Sequence, residues 1–183
     1  MFFKYRYIPN YLSLLRIVLT PIFTIAMLQN TFLYKLISLK IFFLASLSDF
    51  LDGYIARKYN FVSSFGKNID PISDKILVIS SFIVLSIFYP SILPFWMILL
   101  IVLRDILVTI LRYYRFSSSS DFKTSFIAKR KTLVQIIIIH LILILHIIDP
   151  SYIVNNEYLY YMVLLSVLLS WFSAFDYILS IKK

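Results

Sequence analysis

The chain is a succession of long apolar runs separated by short polar breaks. The runs cover residues 11–28, 32–58, 70–88, 95–114, 125–148 and 158–181, and each reads as a helix. Gln29, Asn30 and Thr31 make the first break, and residues 59–68 make a polar connection. Tyr89, Pro90, Ser91 and Pro94 form a tight uncharged turn, four consecutive serines mark a loop at 115–124, and residues 149–157 join the last two helices. Asn10 or Ser13 is placed to cap the first helix, Pro21 to kink it, and Pro71 to sit in the first turn of the third. A helix crosses the hydrocarbon with about 20 apolar residues. The pattern therefore predicts an all-α integral membrane protein with six transmembrane helices. A short N-terminal interfacial segment precedes them, in which aromatic and basic residues alternate (MFFKYRYIPNYLS). At ~1.5 Å per residue the second helix is longer than the hydrocarbon is thick. Its far end, with Asp49 and Asp52, must lie at or beyond one membrane face.

Composition agrees with that picture. The 183 residues are 61% hydrophobic, and the mean hydropathy of +0.87 exceeds what a soluble domain carries. Six crossings leave no room for a separate soluble domain, so residues 1–183 read as a single membrane domain. The absence of cysteine removes disulfides, thiolate metal sites and cysteine nucleophiles. A net charge of +9 on so apolar a chain points to anionic lipid headgroups and topology signals, not to nucleic acid. No A-x-A-like site follows the first apolar run, so no cleavable signal peptide is expected. Lys and Arg concentrate in the N-terminal segment, the second and fourth connections and the C-terminus, while the third and fifth connections carry none. The positive-inside rule then puts both termini in the cytoplasm of a multi-pass cell (inner) membrane protein. Lys35 and Lys40 run against this order: Lys35 has room to snorkel outward, and Lys40 needs a partner.

One stretch departs from the apolar pattern. Residues 49–74 read DFLDGYIARKYNFVSSFGKNIDPISD and hold four of the nine acidic residues and both glycines. Carboxylates at the ends of membrane helices are costly, and a glycine-poor chain keeps its glycines where close approach or unusual dihedrals require them. Positions three and four apart share a helix face. Asp49, Asp52, Gly53 and Ala56 thus line one stripe, while Gly66, Asp70 and Asp74 line a second that can face it. Four clustered carboxylates stay ionised together only with cations among them. Oxygen-only ligation suits Mg²⁺, with Mn²⁺ also possible. Small residues at 53, 56 and 66 leave room for phosphates, and Arg57 adds a permanently charged fork. The sum is a two-metal site for a pyrophosphate, on the cytoplasmic side.

These residues resemble a known signature. Asp49, Asp52, Gly53, Ala56, Arg57, Gly66, Asp70 and Asp74 fill every fixed position of D-x2-D-G-x2-A-R-x8-G-x3-D-x3-D, the pattern of the CDP-alcohol phosphatidyltransferases. The resemblance implies that Asp49, Asp52 and Asp70 ligate a divalent-metal pair and that Asp74 lies at the metals as general base. It implies that Asp49, Gly53, Ala56, Arg57 and Gly66, with Asn10, hold the CDP group of CDP-diacylglycerol. It also implies a homodimer and transfer of a phosphatidyl group to an alcohol with release of CMP. Further segments are similar to the bacterial members that use glycerol 3-phosphate: IPNYLSLLR, FGKNIDPISDKILV, RDILV and AKRKTLVQ. Arg112, Lys129 and Lys131 would then hold the acceptor's phosphate. Ala128 and Asp105 depart from those members, which usually have Gly and Glu there. Other acceptors, phosphatidylglycerol as in cardiolipin synthase, an inositol phosphate or serine, stay open.

Plainer roles compete for several residues. Asp70 before a proline also suits an N-cap, and Arg112, Lys129, Arg130 and Lys131 also suit topology anchors. Arg104 and Asp105 fit either a bundle-ordering ion pair or a substrate contact. His140 and His146 fit packing or interhelical hydrogen bonds, Trp96 and Trp171 fit interface belts, and Asp176 suits pairing with a basic residue. A cation transporter would place carboxylates near mid-membrane on broken, repeated helices. Here all four sit at one face and the acidic pattern is not repeated, which favours the transferase.

Overall fold

The computed structural model describes residues 8–59, 64–116 and 126–181. Among them are seven helices and no strand: α1 (Ile8–Leu28), α2 (Phe32–Tyr59), α3 (Ser64–Phe88), α4 (Phe95–Phe116), α5 (Phe126–Ile148), α6 (Pro150–Val154) and α7 (Glu157–Ile181). The six long ones correspond to the six apolar runs.

Several ends differ from expectation. α1 starts at Ile8, so Asn10 and Ser13 lie inside it and not at its N-cap position. Pro9 is its second residue, where the missing N–H would have had no helical partner anyway. Part of the expected interfacial segment is thus the first turn of α1, and residues 1–7 lie outside the described residues. α1 also continues through Pro21. The flanking Thr20 and Thr24 hydroxyls donate one turn back, to the Arg16 carbonyl at 2.8 Å and the Thr20 carbonyl at 3.0 Å.

α3 starts six residues before the expected position, at Ser64 instead of Asp70. Pro71 therefore stands in the second turn and forfeits a bond to the Lys67 carbonyl, and Asp70 is interior to the helix and not its N-cap. Local propensity favours a start at the proline; packing of α3 along α1 outweighs it. Of the expected connection at 59–68, Tyr59 and residues 64–68 are helical, and residues 60–63 lie outside the described ones. Arg115 and Phe116 likewise extend α4. Both glycines are helical, and no described glycine has a positive φ, so unusual dihedrals do not explain them.

The connections follow their local chemistry. Asn30 ends α1 at φ 50°, the left-handed region that asparagine tolerates. The expected connection at 149–157 contains α6: Asp149 Oδ1 accepts from the backbone N–H of Ser151 (3.0 Å) and Tyr152 (3.2 Å) and from the Ser151 hydroxyl (2.5 Å). The Ser151 hydroxyl, then the Tyr152 N–H, hold the exposed Asp149 carboxyl below the usual carboxylate range. This cap accordingly supports the fold above the ordinary carboxylate pKa and fades as pH falls through the lowered one.

The helices pack around one core, with α5 touching α2, α3, α6 and α7. Phe23, Phe42, Phe82, Leu85, Met97, Ile139 and Ile142 are among its fully enclosed members. The polarity is the reverse of a soluble protein's. Ser13, Arg16, Thr20, Ser38, Ser73, Ser81, Arg104, Asp105, Gln135, Ser166, Ser170 and Ser173 are buried. Val18, Ile25, Phe43, Leu103, Ile137, Leu168 and Phe172 face outward. Small polar residues in helix seams with an apolar exterior are what a hydrocarbon solvent selects. Among the described residues, three stretches are long and apolar enough by themselves to cross a membrane: Tyr11–Leu28, Lys131–Ile148 and Glu157–Leu179. α2 and α4 carry charge within their apolar runs, Lys35 and Lys40 in one, Arg104 and Asp105 in the other.

At the end of the bundle away from the acidic stretch, Lys35 does not snorkel outward. Its Nζ donates to the His146 carbonyl at 3.3 Å, joining the start of α2 to the end of α5, where carbonyls lack helical partners. Lys40 is exposed. His146 shares a hydrogen bond with the Tyr89 hydroxyl, and its ring lies 5.4 Å from that of Phe88. His140 donates to the Ile136 carbonyl at 2.9 Å and packs 4.7 Å from Phe42, edge to face. Both histidines thus take the packing roles expected of them.

Candidate active site

Helix periodicity organises the acidic stretch. Asp49, Asp52, Gly53, Ala56 and Arg57 fall in the C-terminal half of α2; Gly66, Asp70 and Asp74 fall in the N-terminal half of α3. α1 packs closely along both helices, and α2 touches α3 directly. α1, which packs along both, is also the helix that carries Asn10.

Asp49 is the one signature carboxylate whose side chain is described. The side chains of Asn10, Asp52, Ala56, Arg57, Asp70, Asp74, Arg112 and Lys129, and the surroundings of Gly53 and Gly66, lie outside what is described. The Asp49 Oδ1 accepts from Arg16 Nη1 at 2.9 Å, with the Arg16 side chain fully enclosed and that of Asp49 33% exposed. Breaking a buried pair costs ~3–5 kcal/mol, and the partial exposure of Asp49 lowers this. Arg16 thus fixes the first signature carboxylate from a neighbouring helix while leaving it open on one side. Sequence reading did not single out Arg16; an arginine about two turns inside an apolar helix was the available signal.

A second polar centre lies across the bundle. Asp105 Oδ1 accepts from Arg104 Nη1 at 2.7 Å and from Lys131 Nζ at 2.5 Å. Arg104 also reaches α7, donating through Nε to the Ser170 carbonyl at 2.9 Å and through Nη2 to the Ser173 hydroxyl. Lys75, the residue after Asp74, donates to the Asp105 carbonyl at 3.2 Å and to the Thr109 hydroxyl. Thr109 donates in turn to the same carbonyl at 2.6 Å. The Arg104–Asp105 ion pair weighed from the sequence is therefore present, and it extends to Lys131 and to α3. Lys75 entered the sequence reading only within the run FGKNIDPISDKILV and Thr109 not at all, because nothing local marks either.

The donor set suits a hard divalent cation. Among the described residues no group of three histidine, cysteine or carboxylate side chains forms a metal site. The four signature aspartates offer oxygen alone, Asp49 keeps an accessible carboxylate, and the i, i+3 and i, i+4 spacings put each pair on one helix face.

Comparison with known proteins names the fold's relatives. The CDP-alcohol phosphatidyltransferase family model matches residues 6–175. A CDP-diacylglycerol–glycerol-3-phosphate 3-phosphatidyltransferase of Rickettsia bellii is 40% identical over 128 residues, 70% of each chain. One of Bacillus subtilis is 36% identical over 149 residues, covering 75% of this chain and 76% of its own. One of Haemophilus influenzae is 30% identical over 135 residues, 71% of each. Members of the family are generally divalent-metal dependent. With its complete aspartate signature on α2 and α3 and a match running through nearly all its length, this chain belongs to the CDP-alcohol phosphatidyltransferase family.

Proposed function

We propose that the protein transfers the phosphatidyl group of CDP-diacylglycerol to glycerol 3-phosphate, yielding phosphatidylglycerophosphate and CMP in phospholipid biosynthesis. The observation that carries this is the unbroken eight-residue signature in a chain whose relatives bear that reaction in their names. Asn10, Asp49, Gly53, Ala56, Arg57 and Gly66 hold the CDP group. Asp49, Asp52, Asp70 and Asp74 hold two divalent ions, Mg²⁺ or Mn²⁺. When bound, such ions neutralise the pyrophosphate and stabilise the departing CMP. Asp74 takes the proton from the acceptor hydroxyl. The hydroxyl oxygen then bonds to the lipid-linked phosphorus, and the bond from that phosphorus to the bridging oxygen breaks, so CMP leaves with that oxygen. Arg112, Lys129 and Lys131 hold the acceptor's phosphate. The chain acts as a homodimer in the inner membrane, as one domain of six transmembrane helices behind a short interfacial segment. Both termini and the active site face the cytoplasm, where the soluble acceptor meets the lipid donor.

The test is CMP release by purified protein with CDP-diacylglycerol, Mg²⁺ and one acceptor at a time: glycerol 3-phosphate, phosphatidylglycerol, inositol phosphate or serine. Release with glycerol 3-phosphate is expected. Release only with another acceptor would overturn the acceptor assignment, and no release with any would overturn the transferase reading.

Two variants separate roles within the site. Arg112→Ala and Lys129→Ala are each expected to raise the KM for glycerol 3-phosphate about tenfold or more, with that for CDP-diacylglycerol little changed, since a charge-assisted bond to phosphate is lost. Equal effects on both substrates would return them to topology anchors. Arg16→Met keeps the stem but removes the guanidinium that orients Asp49. Partners that orient metal ligands are worth about 10–100-fold in metal affinity, so the Mg²⁺ concentration for half-maximal activity should rise by that order. An unchanged Mg²⁺ titration would confine Arg16 to packing.

A further inference from the structure

The residue that holds Lys131 has no part in the scheme above. Asp105 lies in the middle of α4 with 7% of its surface exposed, and it is a junction for four helices. Its carboxylate takes Lys131 of α5, and Arg104 ties it to Ser170 and Ser173 of α7. Its carbonyl and the Thr109 hydroxyl together take Lys75 of α3. Every arm of the Arg104 guanidinium is committed within the bundle, through Nε, Nη1 and Nη2. Lys131 is different. An ammonium carries three donors, and among the described residues Lys131 gives a hydrogen bond to Asp105 alone. Lys75 directly follows Asp74 in α3, so its anchor also pins the helix turn that bears the general base.

We propose that Asp105 is a positioning residue for a phosphate-bearing acceptor: it holds the Lys131 ammonium ready for a phosphate monoester, and with Thr109 it anchors Lys75 and so the turn of α3 that carries Asp74. The inference rests on the acceptor assignment made above. A lysine is a point charge on a flexible stem, and fixing it at the moment of binding costs affinity. Asp105 fixes the lysine when the protein folds, so the acceptor does not bear that ordering. An acceptor with no phosphate monoester gains nothing from the arrangement, which makes Asp105 a determinant of acceptor choice as well as of affinity.

The test compares wild type, Asp105→Asn, Asp105→Glu and Thr109→Val by steady-state CMP release, varying each substrate in turn. Loss of the carboxylate in Asp105→Asn should raise the KM for glycerol 3-phosphate about tenfold or more and leave that for CDP-diacylglycerol within about twofold. The inhibition constant of inorganic phosphate against glycerol 3-phosphate should rise in parallel. Asp105→Glu, which keeps the charge, should recover most of the acceptor affinity. A purely structural Asp105 would lower the amount of active enzyme and shift both substrates alike. Thr109→Val leaves the ion pairs intact and so stays informative if Asp105→Asn does not fold; a rise of about threefold or more in the acceptor KM alone is expected from loss of the hydrogen bond that the partly exposed Lys75 ammonium gives to Thr109. An acceptor KM unmoved by both variants, or moved equally with that of CDP-diacylglycerol, overturns the proposal. Absence of wild-type turnover with glycerol 3-phosphate overturns the acceptor assignment instead, and this inference with it.

Discussion

Asp74→Asn is expected to lower CMP release by about 10²–10⁴-fold, the contribution of a positioned general base. The amide has nearly the shape of the carboxylate and cannot take a proton. Three signature carboxylates remain for the metals in this variant, so binding of CDP-diacylglycerol in detergent micelles should be largely retained. The two measurements belong together. Lost turnover with retained binding assigns Asp74 to proton transfer, whereas loss of both would make it chiefly a metal ligand. The structure adds a reason to expect a sharp effect. Lys75, the next residue, is anchored to α4 through the Asp105 carbonyl and Thr109, so this turn of α3 has little freedom to bring a substitute into place.

Removal of divalent metal should have an effect as large. Exhaustive chelation is expected to reduce CMP release to background, and Mg²⁺ or Mn²⁺ to restore it. Without cations, four carboxylates gathered as proposed could not all stay ionised, and the CDP pyrophosphate would have nothing to neutralise it. A second readout needs no turnover. At a hundred times its dissociation constant, a metal that binds only the folded protein adds about 2.7 kcal/mol of stability. The thermal midpoint should therefore rise with Mg²⁺, and the rise should shrink in Asp49→Asn and Asp52→Asn. Full activity after chelation would remove the metals from the mechanism.

Much of this was legible along the chain. Apolar runs long enough to be helices became helices, because in hydrocarbon every backbone N–H and C=O must be satisfied within its own segment. Boundaries were less legible where a local signal competed with packing. Pro71 looks like a helix start, and α3 nevertheless begins at Ser64, since contact along α1 outweighs one forfeited hydrogen bond. Asp149, by contrast, caps α6 through bonds to residues two and three positions on, and α6 fell inside an expected connection because five residues are too few to show a period.

The reaction is written in the sequence alone. The D-x2-D-G-x2-A-R-x8-G-x3-D-x3-D spacing is the signature of the CDP-alcohol phosphatidyltransferases, so its eight residues point to the chemistry before any fold is known. What holds those residues is decided only in three dimensions. Arg16 and Asp49 meet across 33 positions, Asp105 and Lys131 across 26, and Arg104 reaches Ser173 across 69. No periodicity links such pairs. Their partnership comes from the way α1 lies along α2 and α3, and from the crowding of α3, α4, α5 and α7 around Asp105, where a buried carboxylate must find its cations.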